Sequence, residues 1–144
     1  MSGPPRAAVT TSVNCRTSAR QSGQEEMGNT TIEDALIKAA RRGVDVQICG
    51  ENSGGEYDSD FSRLAAAGVH ISYYSSSHGF YIHGKVIEAD YGTGHVKVFI
   101  GSENFSGTSL NRNRELGLIV ASQKVMSAIA STFAADYRNG KHWP

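Results

Sequence analysis

Cysteine is scarce, net charge is zero and no long apolar run occurs; each of these absences narrows what the chain can be. The two cysteines, Cys15 and Cys49, lie far apart and match no metal-binding or redox spacing, so they read as unrelated thiols rather than a pair. Fourteen basic side chains offset fourteen acidic ones, which leaves no long-range field to gather nucleic acid or an anionic membrane. Any selectivity for phosphate is therefore local. No segment approaches the roughly 20 apolar residues of a membrane span. The opening Met1-Ser2-Gly3-Pro4-Pro5-Arg6 has a basic residue but no apolar run of signal-peptide length behind it, so the sequence as written reads as cytoplasmic. With 144 residues, 39% hydrophobic and 19% charged, there is material for one closed core and too little for two.

Residues 1–29 carry Pro, Thr, Ser, Arg and Gln without sustained periodicity; they are expected to be poorly ordered and to supply no recognisable first strand. The domain is expected over residues 30–144. Thr30 and Thr31 can cap a helix over 32–42 that places Ile32, Leu36 and Ala39 on one face, and Gly43 stops it. Residues 44–49 alternate with the period of a strand. The pattern recurs once, with a helix over 58–67, Gly68, and a strand over 69–74. Helix, glycine and apolar strand in succession is the signature of parallel strands joined by crossover helices. Further strands are expected over 80–89, 95–100 and 115–121, the first two joined by a hairpin turn at 90–94 and the last buried through Leu116 to Val120, and a helix over 123–137 closes the domain with Val125, Ile129, Phe133 and Tyr137 as its core stripe. The fold class is α/β, a mixed sheet flanked by helices.

His83 and Lys85 stand two apart on an expected strand, so both side chains leave one face. An imidazole beside an ammonium suits a phosphodiester: the cation neutralises non-bridging oxygens, and the imidazole can attack phosphorus or protonate the leaving alcohol. Positive charge nearby also favours the neutral, nucleophilic imidazole. Asp90 follows His83 at an odd separation, on the opposite face of a regular strand, which points to a backbone-bonding task in the turn. Ser102 and Asn104 can contact phosphate, although Gly, Ser and Asn also form turns for backbone reasons alone. Ser109 can cap the following loop or join the site. Of the remaining histidines, His70, His78 and His142 lack a lysine two residues on, His95 has Lys97 there but Ser102 rather than an aspartate five residues further, and a zinc site from His78, His83 and His95 has no metal-ligand spacing.

His83, Lys85 and Asp90 fall in the HxKxxxxD pattern, and Gly101-Ser102-Glu103-Asn104-Phe105 is similar to GSxNF, both of which mark the phospholipase D superfamily. The segment 111–118 resembles the downstream stretch whose acidic residue pairs with the histidine in family members. The chain thus resembles a single half of a phospholipase D-like enzyme. That resemblance implies a phosphohistidine on His83, Lys85, Ser102 and Asn104 around the phosphate, Glu115 orienting His83, Asp90, Gly101 and Ser109 as structural members, and no metal or other cofactor. It also implies a second copy of the motif, absent here, supplied by a homodimer partner or by a missing N-terminal half. A phospholipid, hydrolysed or transphosphatidylated, is the first substrate expectation; nucleic acid is the alternative, and an inactive phosphate-binding fragment is a third reading. Arg112 and Arg114 lie close enough in sequence to touch substrate.

Overall fold

The computed structural model describes the backbone of residues 9–13 together with residues 31–75, 82–89, 95–105 and 107–144. Along the chain run β1 (Val9–Val13), α1 (Thr31–Arg41), β2 (Val46–Glu51), α2 (Asp58–Ala66), β3 (His70–Tyr74), β4 (Val86–Ala89), β5 (Lys97–Gly101), α3 (Gly107–Asn111), β6 (Gly117–Val120), α4 (Gln123–Asn139) and β7 (Lys141–His142). The strands form one sheet in the order β6-β5-β4-β1-β2-β3-β7. β1, β2 and β3 are mutually parallel neighbours, while β4, β5 and β6 run as an antiparallel meander beside β1, and β7 pairs antiparallel with β3. This is the mixed sheet with flanking helices that the alternation of helix, glycine and strand predicts.

Period-two alternation sends the two faces of β2 to different helices. Val46 and Ile48 join Leu36 and Ala39 of α1 and Phe61 and Leu64 of α2 in the main core cluster. Cys49 instead meets Phe133 of α4 and Ile82, and further along the same face Val96 and Val98 close on Met126. The α4 stripe is thus centred on Met126 and Phe133, with Val125, Ile129 and Tyr137 only half buried. α1 carries Glu33 and Asp34 in its first turn and Lys38 and Arg41 in its last, the arrangement the helix dipole favours. Both α1 and α2 are followed by a glycine at positive φ, Gly43 at 87° and Gly68 at 92°, where a Cβ would be strained. Ser122 caps α4 by accepting from Val125 N at 3.4 Å. Among the described residues no helix is long and apolar enough to cross a membrane.

Three expectations need correcting. Residues 9–13, assigned to a segment without a first strand, form β1 in the middle of the sheet, between β4 and β2. Val-Thr-Thr-Ser-Val is short and mostly polar, so hydrophobic alternation does not announce it, yet β-branched residues suit a pleated strand. The rest of that N-terminal stretch, with Cys15, lies outside the described residues, as do His78, Asp90 and the hairpin turn at 90–94. Strand β4 is shorter than the 80–89 segment expected: its pairing with β1 begins at Ser12↔Val86, so His83 and Lys85 stand just ahead of the ladder. Residues 115–121 were expected to be a buried strand, but β6 is the edge of the sheet, with Leu116 76%, Leu118 62% and Ile119 72% exposed.

Candidate active site

Sheet register gathers the motif residues at one end. β1 and β2 finish there, since Val13 pairs with Gly50, and β4 starts there beside Ser12. β5 ends and β6 begins at the same level, with Gly101 opposite Gly117. Gly101 N donates to Lys85 O at 3.1 Å, which ties the loop after β5 to the residues before β4. The two facing glycines leave a slot that the Phe99 ring and the Glu103 side chain fill: a Cβ on Gly101 would lie 2.7 Å from the Phe99 ring and collide with the Glu103 carboxylate.

Beyond this pair the loop is held by side chains. Glu115, one residue before the exposed Leu116, receives the Ser102 hydroxyl at 2.6 Å on Oε2, and on Oε1 the Ser109 hydroxyl at 2.6 Å and the Asn113 amide at 3.2 Å. Ser102 Oγ in turn accepts from Leu116 N, and Ser109 Oγ from Asn104 N at 2.9 Å. Ser109 is 97% buried by virtue of its 3% exposure, on the short helix α3. These donors, led by Ser102, then Ser109 and Asn113, hold the Glu115 carboxyl below its ordinary range, and Lys85 adds to the effect. Lys85 therefore lies within electrostatic reach of Glu115.

Lys85 is buried, and its ammonium donates to His83 O at 3.2 Å. His83 is exposed at the sheet end, yet partial burial of its ring, followed by the Lys85 charge, lowers its pKa below the ordinary imidazole value. Asn104 is fixed by its backbone bond to Ser109, while its Oδ1 is buried and has no hydrogen-bond partner among the described residues.

The structure thus brings Lys85, Ser102, Asn104, Ser109 and Glu115 into one connected group with His83 at its rim. It engages both oxygens of Glu115 with Ser102, Ser109 and Asn113, and it commits the Ser102 proton to that carboxylate rather than leaving it free for phosphate. Sequence reasoning missed Asn113, whose only signal is its position two residues before Glu115 on an extended segment. Among the described residues no group of three or more His, Cys, Asp or Glu could hold a metal ion.

A seven-stranded mixed sheet carrying His-x-Lys ahead of one strand, with a Gly-Ser-x-Asn loop after its neighbour, defines a phosphodiesterase-type α/β unit. The family model described as "Cardiolipin synthase, PLD-like domain" matches residues 8–137, and the chain belongs to this phospholipase D-like family. Among solved structures, the chain is similar to Nuc, a phospholipase D family member from Salmonella typhimurium, at 22% identity and a TM-score of 0.68, over 96% of this chain and 80% of that one. It is also similar to NucT from Helicobacter pylori, at 14% identity and a TM-score of 0.64, over 96% and 82% of the two chains. A third likeness is to polyphosphate kinase from Porphyromonas gingivalis, at 17% identity and a TM-score of 0.62, covering 90% of this chain and 20% of that one. At these identities the structural likenesses establish the fold. No curated protein matches the chain.

Proposed function

We infer that this chain hydrolyses, or transfers, a phosphodiester through a covalent intermediate on His83, with a phospholipid as substrate. A neutral imidazole nitrogen of His83 attacks phosphorus, a P–N bond forms, and the P–O bond to the leaving alcohol breaks. The alkoxide takes its proton from a second imidazole. That imidazole then removes a proton from water, or from an acceptor alcohol, whose oxygen displaces His83 and frees the product. Lys85 neutralises the non-bridging oxygens and Asn104 binds one of them, while Glu115, through Ser102 and Ser109, keeps the loop in place. The observation that carries this reading is the buried Lys85 ammonium bonded to His83 O, beside an exposed imidazole whose pKa is lowered by partial burial and by that charge. The lipid assignment draws support from the cardiolipin synthase description of the matching family model.

No second full motif in this sequence supplies the second imidazole, because the one further His-x-Lys, His95-Val96-Lys97, has Ser102 where the pattern carries its aspartate. We assign it to a second copy of the chain. The exposed apolar residues Leu118 and Ile119 on edge strand β6, Leu116 just before it, and Ile100 of β5 paired with Leu118 favour such a partner next to the site. Side-by-side assays of phosphatidylcholine and single-stranded DNA with EDTA present test the substrate. Lipid turnover that disappears in His83→Ala is expected. Turnover of DNA without lipid would replace the lipid assignment by the nucleic-acid one, and unchanged turnover in His83→Ala would remove the nucleophile.

A further inference from the structure

Zero net charge conceals an uneven distribution. Residues 31–60 hold seven acidic side chains against three basic ones, whereas between Glu103 and Asp136 the single acid, Glu115, stands among Arg112, Arg114 and Lys124. The charge of Glu115 is already engaged by three hydrogen-bond donors. Arg112 and Arg114 are exposed, and the ion pairs found among the described residues involve neither of them; both pairs belong to Arg63, with Glu33 and Asp60.

The backbone that bears these two arginines is pinned on both sides. Upstream, the amides of Arg112 and Asn113 donate to Thr108 O at 2.8 and 3.2 Å, which fixes the exit from α3. Downstream, Leu116 exchanges two bonds with Ser102, its N–H donating to Ser102 Oγ and its carbonyl accepting from Ser102 N. The guanidiniums therefore emerge from a segment anchored to the phosphate loop itself, so little backbone ordering remains to oppose binding. A planar guanidinium matches phosphate oxygens in bidentate fashion. A diester with one phosphate carries one negative charge, and Lys85 already answers it. Against Lys85, Arg112 and Arg114 stands only the Glu115 carboxylate, which neutral donors leave charged, so a singly charged diester still leaves positive charge for further anionic groups of the substrate to meet.

We propose that Arg112 and Arg114 bind a second phosphate of the substrate, beside the one that is cleaved, so that the site selects diesters carrying more than one phosphate group. This rests on the phosphodiesterase reading above, and it deepens it by naming what distinguishes good substrates. A lipid with two phosphates and a nucleic-acid strand share this chemistry.

Binding of inorganic tripolyphosphate and orthophosphate to the full chain, measured by isothermal titration calorimetry, tests the proposal without requiring turnover, so its failure is separate from a failure of the His83 chemistry. The parent is expected to prefer tripolyphosphate. Arg112→Gln/Arg114→Gln should lose about ten-fold or more of that preference, and each arginine removed should lower the salt slope of tripolyphosphate binding by about one. Arg41→Gln/Arg42→Gln, which removes the same charge from the end of α1 ahead of β2, should keep the preference. Survival of the preference in the first variant, or an equal fall in the second, would overturn the proposal. Cardiolipin in detergent micelles and an oligothymidylate then identify the natural source: weaker binding of either one by Arg112→Gln/Arg114→Gln supports the assignment, and weakening of neither overturns it.

Discussion

Glu115 joins parts of the site that lie far apart in sequence. Its two oxygens hold Ser102 after β5, Ser109 on α3 and Asn113 before β6. Because Ser109 is buried and bonds on two sides, Ser109→Ala should destabilise the protein by about 1–3 kcal/mol in urea unfolding, the range for leaving buried groups unpaired. The folded pKa of Glu115 is depressed below 4.5, so its contribution is present above that value and is lost as pH falls through the folded pKa. The deficit of Ser109→Ala should accordingly narrow in acid, and a deficit independent of pH would contradict the role given to Glu115. His83 titrates in the opposite sense of charge. Its folded pKa lies below 6.5, so the unfolded chain takes the proton first and stability falls as pH drops from 6.5 toward the folded value. An NMR titration of the ring should give a midpoint below 6.5, and Lys85→Met should raise it partway, since partial burial, the larger cause, remains. A midpoint at or above 6.5 would be inconsistent with a neutral nucleophile set by this environment.

Elements differ in how openly the sequence declares them. The two helix and strand units from α1 to β3 are legible because an amphipathic period, an end glycine and an apolar run agree, and the chain then packs as each local preference directs. β1 escapes notice because its middle residues are polar and its place in the sheet is decided by β2 and β4 on either side. α3 is Gly-Thr-Ser-Leu-Asn, weak helix formers apart from Leu110, and it is held by tertiary bonds such as Ser109 to Glu115. β7 is two residues long and depends on Trp143, whose ring meets Phe61 at 5.4 Å and Tyr73 at 5.6 Å edge-on. The His-x-Lys and Gly-Ser-x-Asn segments could be found by spacing, whereas the tie through Asn113 could not, because hydrogen-bond partners across a loop leave no periodic trace. β6 misleads in another way: its apolar residues read as core, yet the sheet ends there. If a second copy covers this edge, light scattering should report twice the chain mass for the parent and a single chain mass for Leu118→Lys. A monomeric parent, or a dimer untouched by Leu118→Lys, would remove β6 as the contact.

At the scale of the whole molecule, one sheet separates two packing faces and presents a single working end. α1 and α2 close the face of Val46 and Ile48, and α4 closes the face of Cys49 and Val98, which leaves the strand ends free to carry chemistry. Charge follows the same division, acids around α1 and α2 and unpaired arginines beside the loop at the site. In the proposed mechanism the unit holds and attacks a phosphate at His83 and borrows its proton donor from a second copy. The covalent step is open to direct observation by peptide mass mapping after alkaline quench during turnover of bis(p-nitrophenyl) phosphate. A phosphoryl adduct on the peptide containing His83, absent in His83→Ala together with turnover, is the predicted result. Sustained turnover in His83→Ala, or an adduct on a different residue, would contradict it.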